Sequence, residues 1–380
     1  MSGRPTVIVG GGIAGLAAAR VLAGDGLEVV LIERSRTWRP AGAALTLARN
    51  AIAVLDDVGV GSAVRAVGRR IDGAVIADAH GTPLGAVSRG WPEQYAVRRT
   101  DLHDCLVDGL ASRIEVRLGT TVDRLTAAVD HVTCHLSDGD TIAAELVLGA
   151  DGVGSQVRSL LLGAAAPAVR YAGYTCWRLL TTLADPPGTA VEQWGRGQRV
   201  GVVPLPDPDV YVFLTANAPP GGSDAGDPEE LRRRFHTFGG PAGRALAALD
   251  EGTAVLRNDI VELDGVAFGT GRVALVGDAA HAMTPNLGQG AGQALEDVAV
   301  LTRTLATMPP TNAVAAYAEI RRRRVTALHR RSRAVGRVGQ LQHPLLTVAR
   351  DTVARLTATS VLRRQALHVV GDRSPEDPGV

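Results

Sequence analysis

The stretch that most constrains the fold runs from residue 6 to residue 33 and reads TVIVGGGIAGLAAARVLAGDGLEVVLIE. It predicts a strand, a G-x-G-x-x-G turn, a helix and a second strand that ends at Glu33. Gly10 permits a tight turn, Gly12 lets the backbone approach a pyrophosphate, and Gly15 lets the helix lie close to the sheet. The free N–H groups at the helix start suit a phosphate, and the acid suits a ribose diol. The stretch therefore predicts binding of an adenine dinucleotide.

A secretory signal peptide is the alternative interpretation of the same residues. Arg4 would supply the positive charge, and Ala17 and Ala19 would precede the cleavage point. The three consecutive glycines and the strand that ends in an acid argue against it.

Composition limits the remaining possibilities. A chain of 380 residues predicts two or three domains, and 46% hydrophobic with 21% charged residues allows a large core. The net charge of +1 does not favour nucleic acid or an anionic membrane as a partner. Three cysteines without metal or redox spacing predict reduced thiols in a cytoplasmic protein that holds no metal. No apolar run of 18 residues occurs, so we expect no membrane span.

The first half of the chain mixes helical and strand-like spacing. Residues 71–87 are short, alternating and broken by glycine, which predicts a β-excursion. Residues 95–106 have helical spacing and predict a helix capped by Thr100 or Asp101.

Residues 167–264 predict strands separated by turns rich in proline and glycine. Eight of the chain's 13 aromatic residues occur there: Tyr171, Tyr174, Trp177, Trp194, Tyr211, Phe213, Phe235 and Phe238. They are consistent with ordinary cross-strand packing or with a sheet that forms the floor of a site for a flat substrate.

The final third returns to a strand and helix pattern. Residues 272–276 predict a buried strand, a helix is expected from Gly292 to about Met308, and helical spacing continues over residues 310–337. The arginine run at 321–324 is typical of a solvated helix face or, less well, of nucleic-acid binding. Residues 374–380 predict a frayed tail.

Three motifs, in this order, resemble those of single-component (class A) flavin-dependent monooxygenases of the p-hydroxybenzoate hydroxylase type. The first is the G-x-G-x-x-G turn with its acid. The second, LGADGVGSQVR, begins at Leu148 and is similar to the family's Asp-Gly motif. The third, GRVALVGDAAH, begins at Gly271, continues to Pro285 and the Gly-Gln-Gly at 288–290, and is similar to its Gly-Asp motif. The resemblance covers nearly the whole chain.

The resemblance implies an α/β fold: a Rossmann-like FAD-binding domain of the GR2 type, an inserted β-sheet substrate domain and C-terminal helices. The expected division is residues 1–70, 95–166 and 265–310 for FAD, residues 71–94 and 167–264 for the substrate domain, and residues 311–380 for the helices.

The resemblance also implies which residues hold FAD. They are Gly10, Gly12, Ile13, Ala14, Gly15, Glu33, Arg34, Arg99, Val122, Asp151, Asp278, Gly288, Gly290 and Ala291. A carboxylate at 278 is a strong acceptor for ribityl hydroxyls, and the helix that follows directs its positive end at the flavin. Two alternatives stay open: Asp151 caps a turn, and His281 fills a junction between helix and loop.

The reaction that the resemblance implies consumes NADH or NADPH as a transient co-substrate, together with dioxygen. A flavin C4a-hydroperoxide then hydroxylates a small aromatic, heteroaromatic or polyketide-like substrate. An FAD-dependent reductase or dehydrogenase, or a cyclase-like enzyme that uses FAD structurally, is the alternative on the same fold. A monomer or a homodimer is expected.

Four residues are candidates for the substrate side. Trp177 and Pro285 are expected beside the substrate, and proline at 285 fixes the loop next to the flavin face that reacts with oxygen. Arg199 and Tyr211, twelve residues apart, resemble a pair that faces the substrate in FAD-dependent urate hydroxylases and are candidate catalytic residues. Asn286 departs from that pattern, in which an aspartate follows the proline, so urate itself is not predicted. An arginine paired at the sheet and a core tyrosine are the alternative.

Overall fold

The computed structural model describes residues 3–38, 42–222 and 226–370, and side chains up to residue 364. The predicted tail at 374–380 lies outside these ranges. The strands in the described ranges are β1 (Thr6–Val9), β2 (Val29–Glu33), β3 (Ala44–Ala48), β4 (Arg69–Arg70), β5 (Ala74–Asp78), β6 (Pro83–Val87), β7 (Gln94–Arg98), β8 (Glu115–Leu118), β9 (Val122–Ala127), β10 (Val132–Leu136), β11 (Thr141–Ala144), β12 (Leu146–Gly149), β13 (Val169–Thr182), β14 (Ala190–Trp194), β15 (Gln198–Pro204), β16 (Asp209–Asn217), β17 (Val255–Leu263), β18 (Gly269–Thr270) and β19 (Val273–Leu275). The α-helices are α1 (Ile13–Gly24), α2 (Arg49–Asp57), α3 (Gly61–Val67), α4 (Arg99–Val107), α5 (Gln156–Leu162), α6 (Pro228–Arg234), α7 (Gly240–Ala247), α8 (Asp278–His281), α9 (Gly290–Leu305), α10 (Pro310–Gly339) and α11 (Pro344–Val370).

A six-stranded sheet carries the first glycine turn. Its order is β18-β19-β12-β1-β2-β8, and all neighbours are parallel except the short β18. Every residue of β1 and of β12 is buried, as expected for parallel strands covered on both faces. The chain leaves β1 through α1 towards β2, while β12 lies on the other side of β1. The carboxyl end of β1 is therefore a topological switch point, the usual place for a ligand in such a sheet.

A seven-stranded sheet forms the second layer, in the order β17-β13-β16-β15-β14-β5-β6. Its neighbours are antiparallel except for β14 and β5. Strands β5 and β6 come from the predicted β-excursion and join a sheet whose other strands follow about a hundred residues later. Alternate side chains of this sheet point to opposite faces, so one face packs against helices and the other is available to a site.

Helices α6 and α7 cover one face of the seven-stranded sheet. Their apolar residues Leu231, Ala242 and Leu246 pack in one buried cluster with residues of β13, β15 and β16. The expectation of strands and turns alone over 167–264 was therefore incomplete, because these two short helices are needed to bury that face.

Two other expectations about element boundaries were wrong. Residues 94–98 form β7, which pairs with β3, so α4 begins at Arg99 and neither Thr100 nor Asp101 is its cap. The hydrogen bonds between β7 and β3 favour a strand over residues 94–98, although the spacing of the apolar residues is helical. The helix expected from Gly292 begins instead at Gly290, because the left-handed Gly288 ends the preceding turn. Two three-stranded sheets, β11-β10-β9 and β3-β7-β4, complete the fold.

Within the described residues, the helices include none that is both long and apolar enough to cross a membrane.

Candidate functional site

The first glycine turn lies at the carboxyl end of β1. Gly10 has a φ of +111°, and a Cβ there would lie 2.5 Å from the carbonyl oxygen of Ala150. A Cβ on Gly15 would overlap the carbonyl oxygen of Gly10, so α1 lies directly against the turn. Among the described atoms, none would lie within 4 Å of a Cβ on Gly12, and α1 begins at Ile13 without a side-chain cap. The turn therefore offers space and uncapped N–H groups to an anionic group.

Glu33 is held against this turn. Its Oε2 accepts a hydrogen bond from the N–H of Gly11 at 2.8 Å, and its Oε1 accepts one from the N–H of Ser35 at 2.8 Å. The carboxylate thus lies at the edge of the turn, where the sequence places the ribose of a dinucleotide.

Two further predicted residues lie near the end of β2. Arg34 is exposed, whereas Val122 is buried at the start of β9. The N–H of Thr120 donates to the carbonyl oxygen of Glu33 at 3.1 Å, which brings the segment before β9 to the same edge of the sheet.

The carboxylate of Asp151 caps α5. Its Oδ1 accepts from the hydroxyl of Ser155 at 2.5 Å, and its Oδ2 accepts from the N–H groups of Gln156 and Val157 at 2.7 and 3.0 Å. This is the alternative that the sequence left open. Both oxygens are used within the residue's own turn, so a cofactor would meet the backbone here more readily than the carboxylate.

The three motifs meet in space. The Nη1 of Arg158 donates to the carbonyl oxygen of Ala279 at 2.9 Å, which ties the second motif to the third. A Cβ on Gly277 would lie 3.0 Å from the Cβ of Ala294 and 3.7 Å from the Cβ of Ala14, which joins the third motif to α1. Segments far apart in the chain therefore line one surface, which we call the cradle. It is formed by the glycine turn at residues 10–15, the turn at Asp151 and the turn at Gly277 and Asp278.

Asp278 is exposed at the start of α8, directly after Gly277, whose φ is +59°. Arg99 is near enough to interact with it electrostatically: burial lowers the pKa of Arg99, while Asp278 opposes that shift and Arg178 adds to it. A Cβ on Gly42 would lie 2.8 Å from the Cδ of Arg99, so a glycine makes room for the arginine stem.

A buried ion network supports the Gly277 turn from behind. One oxygen of Asp297 accepts from the N–H of Gly277 at 2.8 Å and lies 2.5 Å from the Nε2 of His281. Its other oxygen accepts from the Nε of Arg321 at 2.7 Å, and Arg321 also pairs with Glu296 at 2.6 Å. Burial alone would raise the pKa of Asp297, but His281 and Arg321 hold it below its ordinary value. His281 therefore fills a buried junction, the alternative considered from the sequence.

The loop before α9 borders the same cradle. Pro285 is exposed at the start of a single 3-10 turn, and the left-handed Gly288 follows it with a φ of +62°. A Cβ on Gly288 would lie 3.1 Å from the Oγ1 of Thr46 on β3, so two segments face each other across a narrow gap. Gly290 is open on its Cβ side among the described atoms, and Ala291 is half-buried in the first turn of α9, which has no side-chain cap.

Arg199 and Tyr211 lie on one face of the seven-stranded sheet. Arg199 pairs with Thr215, and Tyr211 is four residues away from Thr215 on the same strand, or ~13 Å by strand rise. The ring of Phe213 lies over Gly201 between them. The two candidates thus share a face but are separated by an aromatic ring.

The guanidinium of Arg199 is fully engaged by protein groups. Its Nε donates to Gln340 at 3.0 Å, its Nη1 to Glu192 at 3.0 Å and its Nη2 to Asn286 at 2.7 Å. It also lies 5.6 Å from the centre of the Tyr174 ring, and the residue is only 2% exposed. This geometry is that of a positioning residue for the loop after Pro285.

Asn286 has a single orientation in this network. Its Oδ1 accepts from Arg199 and from the hydroxyl of Tyr174 at 3.2 Å, and its Nδ2 donates to the carbonyl oxygen of Ser332 at 3.0 Å. A Cβ on Gly336 of α10 would overlap the Nδ2, so the helix approaches the loop closely only because it has glycine there. A cavity of about 420 Å³ opens beside Asn286 and Tyr174.

Tyr211 is buried next to a cationic group. Burial raises the pKa of Tyr211 well above its ordinary value of 10.0, whereas Arg178 and Arg99 oppose the shift, and Arg178 contacts the hydroxyl. Its ring lies 6.1 Å from that of Phe213. The phenol therefore stays protonated at neutral pH and can donate a hydrogen bond.

The sequence places Trp177 beside the substrate, but the structure places it on the opposite face of the sheet. Its ring packs edge-on against Phe235 at 6.0 Å, with the guanidinium of Arg234 4.9 Å from the ring centre, and it is fully buried. This position corrects the prediction, because neighbouring residues on a strand alternate between faces and Trp177 lies opposite to Arg178.

Comparison with known proteins identifies the family. A family described as "FAD binding domain" matches residues 4–332. The chain belongs to this family.

Several relatives of the chain are named as monooxygenases or hydroxylases. The chain is 34% identical to 2-heptyl-3-hydroxy-4(1H)-quinolone synthase of Pseudomonas aeruginosa over 370 residues, which cover 94% of this chain and 95% of the relative. It is 35% identical to 3-amino-4-hydroxybenzoate 2-monooxygenase of Streptomyces cremeus, over 86% and 85% of the two chains. The structure of Klebsiella pneumoniae HpxO complexed with FAD and uric acid superposes with a TM-score of 0.88 at 27% identity, over 97% and 98%. The chain is accordingly an FAD-dependent monooxygenase, which also requires NAD(P)H and dioxygen.

The residues of the cradle fit FAD. Gly12 and Gly290 leave space beside two uncapped helix starts, where a pyrophosphate and a reduced flavin would gain from N–H groups. Glu33 at the end of β2 and the exposed Asp278 at the start of α8 are acceptors for hydroxyl groups.

Sequence reasoning missed the partners that hold Arg199. Glu192 and Gln340 carry no motif, and Gln340 lies 141 residues further along the chain. Tyr174 could have been found, because the period-two alternation over Tyr174, Cys176 and Arg178 places these side chains opposite to Trp177.

Proposed function

We propose that this FAD-dependent monooxygenase hydroxylates a nitrogen heteroaromatic of the 4(1H)-quinolone class. The carrying observation is that Asn286, which follows Pro285, and three titratable side chains on the same sheet face are neutral at neutral pH, while Glu192 on that face pairs with Arg199 at 3.0 Å. Asn286 is an amide, and burial raises the pKa values of Tyr174, Tyr211 and Cys176. None of these four groups can act as a base that ionises a substrate.

A substrate for such a site must be electron-rich without losing a proton first. In a 4-quinolone the ring nitrogen donates its electron pair through the ring double bond to C3, so that carbon is nucleophilic in the neutral molecule. Urate and simple phenols gain most of their reactivity by deprotonation. The identity with the quinolone synthase over 94% of the chain supports the same class.

We propose that FAD is held by the residues assigned from the sequence, with Asp151 contributing through its turn. They are Gly10, Gly12, Ile13, Ala14, Gly15, Glu33, Arg34, Arg99, Val122, Asp151, Asp278, Gly288, Gly290 and Ala291. When bound, FAD supplies the redox chemistry that activates dioxygen, with NAD(P)H as the electron donor. The overall balance consumes one NAD(P)H, one proton and one dioxygen, and it yields the hydroxylated product, NAD(P)⁺ and water.

The chain's own residues position the substrate. The rings of Tyr211 and Phe213 form an apolar surface for a flat molecule, and the hydroxyl of Tyr211 and the guanidinium of Arg178 can donate to a carbonyl oxygen. Asn286 and Arg199 hold the loop that carries Pro285 against the sheet. The cavity beside Asn286 has a volume within the range of small-molecule sites, but it is lined by Tyr174, Glu262 and Arg333 and not by Tyr211 or Phe213.

A benzoate such as 3-amino-4-hydroxybenzoate is the second candidate. The pair of arginines near Tyr211, Arg99 and Arg178, would bind a carboxylate. Its amino group would also enrich the ring in electrons, and a relative that is 35% identical has this compound in its name.

One experiment separates these candidates. The FAD-loaded protein is given NADH or NADPH, ¹⁸O₂ and, in turn, a 4(1H)-quinolone, 3-amino-4-hydroxybenzoate or urate. We expect the quinolone to stimulate NAD(P)H oxidation most and its product to carry one labelled oxygen. Turnover of the benzoate alone would favour the second candidate, and turnover of urate would contradict the argument from Asn286. Product without label would point to the reductase or cyclase alternative.

We also propose a cytoplasmic location and a monomer or homodimer. Cys105, Cys134 and Cys176 are free thiols. The three-part division into FAD, substrate and C-terminal segments is kept as a proposal, testable by limited proteolysis.

A further inference from the structure

Helix α11 packs on the body through a face of mainly small residues. Its buried positions recur every three or four residues: Thr347, Arg350, Ala354, Ala358 and Leu362. Both alanines cluster with Leu84 of β6, and a Cβ on Gly85 would lie 2.5 Å from the Cβ of Ala358. The packed face therefore brings backbone close to backbone and buries little large apolar surface.

The opposite face of α11 carries the large apolar side chains. Leu345, Ala349, Val353 and Leu356 follow one another at intervals of four, four and three residues, which places them on one side of a helix. Leu345 is 75% exposed and Leu356 is 82% exposed. A surface helix normally buries its leucines and exposes its polar residues. Because α11 exposes leucines instead, we infer that another molecule covers this face.

The charge on α11 indicates which kind of partner covers its apolar face. Its side chains in the described range include four arginines and one carboxylate, Asp351, which accepts from the Nε of Arg350 at 2.8 Å. Arg363 and Arg364 are exposed, and Arg355 is exposed but pairs with Asp78 at 3.8 Å, so the charge beside the apolar face is positive. The net charge of +1 for the whole chain hides this local excess. An apolar helix face bordered by arginines is typical of helices that lie on anionic lipid.

A second copy of the chain suits this face less well. An antiparallel pair of α11 helices would bury the leucines, but the face contributes no exposed carboxylate within its described range to pair with the arginines of the partner. Phospholipid phosphates would pair with those arginines directly.

The start of α11 also lies close to the proposed substrate region. The Nη1 of Arg350 donates to the carbonyl oxygens of Gly195 and Gly339 at 3.0 and 3.2 Å. A Cβ on Gly339 would in turn lie 2.8 Å from the Cδ of Arg199. A helix resting on a bilayer would hold this region near the lipid, where an alkylated heteroaromatic substrate partitions.

We propose that α11 docks the enzyme on a bilayer that contains anionic phospholipid, with Leu345, Val353 and Leu356 at the boundary between headgroups and acyl chains. Supply of the substrate from the bilayer rests on the proposed function. The docking itself is measured as binding, so its failure and that of the proposed substrate class are distinguishable.

The test is co-sedimentation of the full-length, FAD-loaded protein with vesicles of phosphatidylcholine, with or without phosphatidylglycerol. We expect binding to the anionic vesicles that weakens with added salt. The double variant Leu345→Gln/Leu356→Gln is expected to lower the partition coefficient by roughly tenfold or more. The matched control Val129→Gln, at a position 98% exposed in the turn before β10, leaves it unchanged. All three proteins should keep the same flavin spectrum.

A second variant keeps the proposal testable if the first folds poorly. Arg363→Glu/Arg364→Glu is expected to abolish the preference for anionic vesicles. The proposal is overturned if wild type ignores both kinds of vesicle or if the charge reversal changes nothing. It is also overturned if sedimentation equilibrium shows a dimer that the leucine variant dissociates while vesicles bind neither protein, since the face then belongs to a second copy.

Discussion

Protonation states at individual residues decide what this site can do. The hydroxyl of Tyr211 lies beside Arg178, which would usually favour a phenolate, yet burial outweighs the cation and raises the pKa of the phenol. Asn286 contributes an amide where an acid would be able to exchange a proton. Under the proposed function, both residues therefore donate hydrogen bonds and do not remove a proton from the substrate.

Replacing Tyr211 by phenylalanine tests this assignment. Because one donor to the substrate is lost, kcat/KM for the quinolone should fall by about fivefold, equivalent to about 1 kcal/mol. The pH profile of kcat/KM should keep its shape across the neutral range, since the phenol does not titrate there. Tyr95→Phe, at a half-buried position of β7, is the control and should leave kcat/KM unchanged. Loss of a limb of the pH profile in Tyr211→Phe would identify a base instead.

At the scale of elements, helices α9 and α10 act as a clamp behind the cradle. Arg321 of α10 reaches two carboxylates of α9, and one of these, Asp297, fixes the N–H of Gly277. The ion pairs between α9 and α10 therefore help to fix the turn before Asp278 relative to α10.

Breaking this clamp should cost stability. Asp297→Ala leaves Arg321 buried with one partner fewer, and we expect the free energy of unfolding to fall by about 3–5 kcal/mol. Urea denaturation measures the loss, with Glu319→Ala at an exposed position of α10 as the control. A change of less than about 1 kcal/mol in Asp297→Ala would show that the network contributes little net stability.

The same carboxylates predict an acid transition. The pKa values of Glu296 and Asp297 in the folded protein lie below their ordinary values of 4.5 and 3.8, because their arginine and histidine partners outweigh burial. Their contribution to stability is complete above those ordinary values and is lost as the pH falls through the lowered ones. Urea midpoints measured across this acid range should fall less steeply in Glu296→Gln than in wild type. Parallel curves would contradict the assignment.

The end of α10 depends on glycine in a comparable way. Gly336→Ala would force the amide of Asn286 aside, and overpacking costs about 1–3 kcal/mol, against a gain of roughly 1 kcal/mol in helix propensity. We expect lower turnover and a normal flavin spectrum. Gly24→Ala at the end of α1 is the control, because its Cβ would meet no atom closer than 3.7 Å, and it should be neutral or stabilising. Turnover equal to wild type in Gly336→Ala would show that the loop tolerates the shift.

For the molecule as a whole, the sequence was sufficient to predict the parts of the fold whose backbone geometry requires a particular residue type. Positive φ angles or close contacts at Gly10, Gly15 and Gly288 require glycine, so the cradle could be located from the glycine spacing. The partners of Arg199 could not be predicted from the sequence, because a hydrogen bond to the distant Gln340 produces no local sequence pattern. The prediction misplaced Trp177 because it considered how many aromatic residues the segment contains and not which face of the strand each one occupies. Side chains along a strand alternate between the two faces.

The cradle draws on three distant segments of the chain, so FAD should stabilise the whole fold rather than one domain. For a ligand that binds only the folded state, the gain is about 2.7 kcal/mol at a free concentration one hundred times its Kd. The melting temperature of FAD-stripped protein should therefore rise with added FAD in a single transition. Asp278→Ala should displace the curve to higher FAD concentrations, because an acceptor for ribityl hydroxyls is lost. Asp185→Ala, at an exposed position in the loop after β13, should follow the wild-type curve. Superposition of the Asp278→Ala and wild-type curves would remove Asp278 from the cofactor contacts.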